Sequence, residues 1–437
     1  MRAVRSAAAK HEGRALAAIL LAGLLVRLPF AFFNAHVSVD MGIFVEWARA
    51  IADHGLVAMT DNVHVVVYPP LSMLLIGAAG VVSASLSAAL DVGNGLLVFL
   101  IKLPPIVADI GLAWLVARML RGREPRVRLV SAALIAFNPA FFYLSAVWGQ
   151  TDSVYVFFAV AALAALGRRA IETGWLAYGL AVASKVQPLL LAPVIVIGSL
   201  RARQPGRLAT GVAIACLLLA ALTIPWLAGG GAATYLGNLW GLTPRLDDSA
   251  TNLWYLLRLG DTTQLALASQ HPVGLPVPAS AIAYAMLAAV AALVCGALWW
   301  HRAAVGLVLP AAILGMAPYM LLAGMRERYL LPALPFALLF AAGWEKVEQR
   351  PRGAWLAFLG VTLAQTVNLL AIAPPDRSLW SGLFLDQTAG PLARPIELLS
   401  LAAAAVNTLV FAWLLTALLR RVAADRLRGA RGLPSPT

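Results

Sequence analysis

The sequence predicts an all-α polytopic membrane protein, a bundle of about twelve membrane-crossing helices, or thirteen if one further apolar run also crosses. Three observations predict it. Of 437 residues, 61% are hydrophobic and only 12% are charged, where a soluble domain carries about 25% charged residues. The mean hydropathy is +0.82. Apolar runs near the length needed to cross a bilayer alternate with short arginine-rich segments. The same pattern accounts for the net charge of +13. The arginines sit dispersed at the ends of apolar runs, as the positive-inside bias requires, and form no stripe that could follow a phosphate backbone. The charge therefore argues for a lipid bilayer as partner and against nucleic acid. Cys216 and Cys295 lie inside apolar runs and read as packing residues, with no disulfide frame or metal site indicated.

The candidate spans are 15–35, 100–120, 128–147, 152–167, 174–186, 187–200, 208–227, 280–300, 303–323, 329–344, 354–373 and 397–419. The first follows Arg2, Arg5, Lys10 and Arg14. It is longer than the apolar core of a signal peptide and lacks a clean small-x-small cleavage site, so it reads as an uncleaved span. The run Pro70 to Leu90 is ambiguous. If it lies along the outer surface or re-enters, 23 of the 33 Lys and Arg residues fall on the cytoplasmic side. If it crosses, everything after it inverts and most of those residues face outward, which the positive-inside bias disfavours.

Twelve spans with both termini cytoplasmic follow. A cytoplasmic N-terminus covers 1–14, one transmembrane domain covers 15–423, and a cytoplasmic tail covers 424–437. The tail past Ala424 carries Pro434 and Pro436 and is expected to be disordered. The outer loops are then 36–69, 148–151, 228–279, 324–328 and 374–396. The first and third are long, and long loops in compact proteins are commonly functional. The runs 174–186 and 187–200 are short and break around Lys185-Val186-Gln187-Pro188. Such breaks are tolerated where the backbone is buried in protein or lines a cavity.

The outer face collects the residues that could carry chemistry. Asp40 lies a few residues beyond the first span in Val39-Asp40-Met41-Gly42-Ile43-Phe44-Val45-Glu46-Trp47, among apolar and aromatic neighbours that could hold a carboxylate dry for base work. Helical spacing of Ile43, Phe44 and Trp47 also makes Asp40 a candidate helix cap. Tyr68-Pro69-Pro70 stiffens a turn before an apolar run. Trp148, Gln150 and Asp152 stand at the outer interface, where an aromatic anchor and a helix cap would also place them. Lys102, Asp109, Lys185 and Gln187 fall in or near the outer halves of spans, where ionisable and polar groups are costly and functional by default. Snorkelling, or a Lys102–Asp109 pair, is the structural alternative. Arg326-Glu327-Arg328-Tyr329 is the densest outward charge cluster, and paired arginines there suit a phosphate. A plain Arg–Glu surface pair is the other reading. Asp247, Asp248, Asn252, Trp254 and Tyr255 in the long loop offer aromatic faces beside hydrogen-bonding groups, which suit a sugar ring or an interfacial helix.

Taken in order, these motifs resemble the GT-C superfamily of polyprenyl-phosphate-sugar-dependent glycosyltransferases. The set is Asp40 to Trp47, Tyr68-Pro69-Pro70-Leu71, Lys102-Leu103-Pro104-Pro105 with Asp109, Asn138-Pro139, Trp148-Gly149-Gln150 with Asp152, Lys185-Val186-Gln187-Pro188, Asn252-Leu253-Trp254, and Arg328-Tyr329-Leu330 with Pro332. The nearest likeness is to bacterial integral-membrane proteins related to the GPI-anchor mannosyltransferases. The resemblance implies a GT-C-like bundle with a long first extracytoplasmic loop in the cytoplasmic membrane. It implies inverting transfer of a hexose, with mannose as the guess, from a polyprenyl-phosphate donor to a glycolipid, glycan or protein acceptor. Asp40 would be the general base, and Arg326, Arg328 and Lys185 would hold the donor phosphate. Trp47, Tyr68, Lys102, Asp109, Trp148, Gln150, Asp152, Gln187, Asn252, Trp254, Glu327 and Tyr329 would shape the substrate site. Arg326 stands where relatives carry His, and Val67 where many carry Asp, which leaves substrate choice and metal use open. No Asp-x-Asp accompanies Asp40, so no cofactor is expected and a divalent metal is not indicated. A lipid-linked-sugar flippase and a non-catalytic scaffold of envelope polysaccharide assembly are the rival classes.

Overall fold

The computed structural model describes residues 2–35, 37, 39–241, 249–257, 277–302, 304–345, 353–372 and 395–431. The expectations for Asp247, Asp248, most of the loop beyond 257, the loop 374–394 and the end of the tail lie outside the described residues. In chain order the helices are α1 (Arg2–Ala31), α2 (Asp40–Ala58), α3 (Pro70–Ser85), α4 (Gly95–Met119), α5 (Pro125–Ala136), α6 (Pro139–Phe142), α7 (Asp152–Gly167), α8 (Ile171–Ser184), α9 (Ala192–Arg201), α10 (Pro205–Ala228), α11 (Gly231–Gly241), α12 (Leu253–Leu257), α13 (Ala279–Trp300), α14 (Val308–Leu321), α15 (Ala333–Ala341), α16 (Ala354–Ile372) and α17 (Pro395–Ala430). No strand occurs among the described residues.

Seven helical segments among the described residues are long and apolar enough to cross a membrane, from Lys10–Ala31 to Ile396–Ala430. Shorter apolar helices cover Pro70–Ser85, Asp152–Gly167, Gln187–Arg201 and Val308–Leu321. The chain is a multi-pass, all-α membrane protein. Each of the twelve expected spans contains helix, as does the ambiguous run from Pro70, but 329–344 holds only the nine residues of α15 and 128–147 is broken into three pieces. The first outer loop, read as 36–69, is mostly α2 followed by a 3-10 turn at Met59–Asn62.

The chain divides into two compact units, 1–188 with 209–241, and 189–208 with 242–437. In the first unit, α4 packs against α1, α2, α3, α5 and α7. Met41, Phe44, Trp47, Ala48 and Ile51 form one face of α2 at helical spacing and bury against Tyr68, Met73 and Ile76. The two backbones come very close there: a Cβ on Gly80 of α3 would sit 2.2 Å from the Ala48 carbonyl oxygen. The membrane-length segment Pro125–Trp148 is not one uniform helix. Asn138 accepts from the N–H groups of Ala140 and Phe141 and caps α6, with Pro139 at its first position. Residues Tyr143–Trp148 are then wound as a π-helix, a form used mostly in single turns.

In the second unit, α14 packs on α12, α13, α15 and α17, and α16 packs on α15 and α17. The half-buried Glu345 carboxylate accepts from the N–H groups of Leu307 (2.5 Å) and Val308 (3.0 Å) and so caps the start of α14 from a distance in sequence. Burial pushes its carboxyl above the usual range, against the backbone donors and the nearby Arg421 and Arg201. His301 at the end of α13 meets Asp425, Nδ1 to Oδ2, at 2.8 Å. The tail expected to be disordered past Ala424 is therefore helical to Ala430: Asp425 is held, and Leu, Ala and Arg continue the helix. Cys216 is exposed on α10 and Cys295 half-buried on α13, so Cys216 is not the packing residue its apolar run suggested.

Replacing Glu345 by Ala strands the α14 donors and should cost about 1–3 kcal/mol, seen as a lower melting midpoint in detergent. Because the folded carboxyl holds its proton more tightly than the ordinary value of 4.5, its titration favours the fold most below that pH. That contribution is lost as pH rises through the raised folded value. The midpoint of wild type relative to Glu345→Gln should fall over the same range.

Candidate active site

Asp40 is the first residue of α2, and Val39 before it makes no side-chain cap. The Asp40 carboxylate meets two side-chain donors. Its Oδ2 accepts from Trp148 Nε1 at 3.0 Å and from Gln150 Nε2 at 2.6 Å. Trp148 and Gln150 are buried, while Asp40 is half-buried. Trp148 thus serves the carboxylate and is no interfacial anchor. Tyr68 donates its hydroxyl to Gln150 Oε1 at 2.9 Å. That bond fixes the amide so that its N–H end faces Asp40.

The turn that presents these donors depends on one glycine. Gly149 adopts φ +91, and a Cβ there would lie 2.5 Å from Met41 Cε and 3.2 Å from Lys102 Cε. The N–H groups of Gly149 and Gln150 both donate to the Leu144 carbonyl, closing the π-helix. Asp152 begins α7, where a carboxylate suits the helix dipole. It accepts from Lys185 Nζ at 2.7 Å. The same ammonium lies 4.8 Å from the centre of the Tyr68 ring and 5.8 Å from that of Tyr155. Lys185 follows the end of α8 in extended conformation, and a 3-10 turn starts at Gln187, so the expected break is present. Trp47 is fully buried, donates to the Val65 carbonyl at 2.8 Å and packs edge-on against Tyr68. It backs the site without facing it.

Beneath this layer lie three buried ions. Lys102 Nζ is within 2.6–3.0 Å of the carbonyl oxygens of Phe30, Phe33, Ala146 and Val147. It neither snorkels nor pairs with Asp109. Asp109 pairs instead with Arg27, whose Nε and Nη2 both lie 3.1 Å from Oδ2. Ser145 Oγ donates to the same oxygen at 2.6 Å. Arg27 also donates to the carbonyls of Gly23 and Ala136. All three side chains are 0% exposed. Sequence reasoning missed Arg27 and Ser145, although an arginine inside an apolar run was a signal.

In the second unit the residues expected to bind a sugar make contacts within the protein. Asn252 donates to the Tyr319 carbonyl at 3.0 Å and accepts from the Tyr255 N–H at 3.1 Å. Trp254 Nε1 donates to the Leu321 carbonyl at 2.8 Å. Both side chains are buried and hold the end of α14. Arg328 pairs with Glu327 at 2.6 Å and lies over the Tyr329 ring at 5.6 Å. Ser249 donates to the other Glu327 oxygen. Arg326 is exposed. Gln365 and Asn368 of α16 donate to the Glu327 carbonyl and the Tyr319 hydroxyl, and Asn407 of α17 donates to Thr251. These three buried polar residues in apolar spans were also missed. Among the described residues no group of three His, Cys, Asp or Glu could hold a metal ion.

The helices and this polar layer define a multi-pass membrane protein with a half-buried carboxylate held by indole and amide donors. No family model and no curated protein sequence matches the chain. Among solved structures it is similar to the crystal structure of ArnT from Cupriavidus metallidurans bound to undecaprenyl phosphate, with TM-score 0.47 and 16% identity, covering 95% of this chain and 78% of that one.

Lys185→Met takes the ammonium from the buried Asp152 carboxylate and should cost about 3–5 kcal/mol. The double variant Lys185→Met/Asp152→Leu should recover most of that loss in thermal melting. Equal destabilisation by both would mean that Asp152 is charge-balanced elsewhere.

Proposed function

We propose that the chain is an inverting glycosyltransferase of the GT-C kind. It takes a hexose, with mannose the reading of the motif resemblance, from a polyprenyl-phosphate donor. The acceptor is a hydroxyl of an envelope glycolipid, glycan or protein on the extracytoplasmic face of the cytoplasmic membrane. The single observation that carries this reading is the Asp40 carboxylate, fixed through Oδ2 by Trp148 and Gln150 while the residue stays half-buried. A base must be oriented toward the proton it removes, and two donors on one oxygen do that. Tyr68 and the Lys185–Asp152 pair support the same motif cluster from behind.

In this mechanism the acceptor hydroxyl attacks the anomeric carbon and gives its proton to Asp40. The bond from that carbon to the lipid phosphate oxygen breaks, and the configuration inverts. Positive charge stabilises the phosphate as it departs. Arg326, the exposed arginine of its motif, and Arg328 are assigned that role, and Lys185 shares it. Lys102 and Asp109, engaged with protein partners, are assigned to holding the site and not to substrate. Asn252 and Trp254 are assigned likewise.

The test is sugar transfer in proteoliposomes from a panel of polyprenyl-phosphate hexoses and pentoses to envelope glycolipids. Asp40→Asn should lower kcat by about 10²–10⁴-fold while the protein still folds and binds donor. Equal transfer by both proteins removes Asp40 as the base, and lipid movement without transfer supports a flippase. Arg326→Ala should weaken donor use, and unchanged turnover with unchanged donor affinity would sink its phosphate role.

A further inference from the structure

The π-helical turn Tyr143–Trp148 ends on Trp148, one of the two donors to Asp40, and Gln150, the other, follows two residues later. This winding is uncommon, and something must select it over a plain α-helix. Two buried groups of α4 grip it, and one of them is backed by α1. Lys102 of α4 binds the carbonyls of Ala146 and Val147. Ser145 donates to Asp109 of α4, and Asp109 is clamped by Arg27 of α1. Arg27 also binds the Ala136 carbonyl at the end of α5, and its guanidinium lies 5.7 Å from the centre of the ring of Phe142, the residue before the turn. A buried ion pair adds little net stability, since desolvation offsets attraction. Its cost is better matched by what it fixes in place.

We propose that Arg27, Asp109, Ser145 and Lys102 are positioning residues for Asp40. They set the π-helical winding that aims Trp148 Nε1 and Gln150 Nε2 at its carboxylate. The proposal rests on the reading of Asp40 as the base, but the aim itself can be read without turnover.

The experiment uses the full chain in proteoliposomes with two readouts. One is kcat and KM for sugar transfer. The other is the 19F resonance of Trp148 in protein labelled with 5-fluorotryptophan, assigned by Trp148→Phe and referenced to Asp40→Asn. Ser145→Ala leaves every charge paired. Arg27→Met/Asp109→Leu removes both charges together, so no lone ion is stranded. Ser145→Ala should lower kcat about tenfold, the worth of one charge-assisted hydrogen bond. The double variant should lower it about 100-fold, as misplacement of a catalytic group by about 1 Å does. KM should hold and the Trp148 resonance should move toward its position in Asp40→Asn. An unmoved resonance overturns the proposal whatever happens to kcat, because the loss then does not pass through the Trp148 contact. If the double variant fails to fold, Ser145→Ala decides by the same criterion. If wild type transfers no sugar, the enzyme reading fails while a shifted resonance still supports the positioning claim.

Discussion

The polar layer beneath Asp40 depends on the four carbonyl oxygens gathered around the Lys102 ammonium. In hydrocarbon a broken helix leaves backbone groups that water cannot reach, and each must be matched within the protein. Lys102 matches the end of α1 and the π-helical turn at once, so the two must meet at one place. The same rule repeats elsewhere. Ser72 donates to the Ser184 carbonyl where α8 stops. Asn252 and Trp254 donate to carbonyls at the end of α14. Gln365 donates to the Glu327 carbonyl in the turns between α14 and α15. Much of the buried polar inventory closes helix ends, and a small remainder is left for chemistry.

That division explains what could be read from the sequence. The helices were legible because apolar runs of sufficient length admit little else in a bilayer. The spacing of Ile43, Phe44 and Trp47 already marked α2 inside what reads as a loop. Asp40 was legible because a carboxylate beside a dense apolar and aromatic segment is rare. Its partners Trp148 and Gln150 were legible as a motif, but not as its partners.

The missed assignments share a cause. Lys102 and Asp109 are seven residues apart on one helix, about 10.5 Å at 1.5 Å per residue, too far for a direct pair. Their partners come from other helices, and Arg27 is 82 residues from Asp109 in sequence. Asn252 and Trp254 read as sugar contacts, and the carbonyls they face at the end of α14 were not legible, because amide and indole groups serve sugars and helix ends equally well. The helical extension past Ala424 was missed because a charged, proline-ended tail hides a contact as specific as His301 with Asp425.

The buried pair of Arg27 and Asp109 also has a consequence for biogenesis. An arginine or aspartate at the centre of a lone span costs up to about 2.5–3.5 kcal/mol to insert. At about 5–20 residues per second, α1 would leave the ribosome several seconds before its counterion on α4. The first helix thus enters the membrane carrying a debt that only the fourth can clear. A longer stretch of chain between α1 and α4 would lengthen that interval.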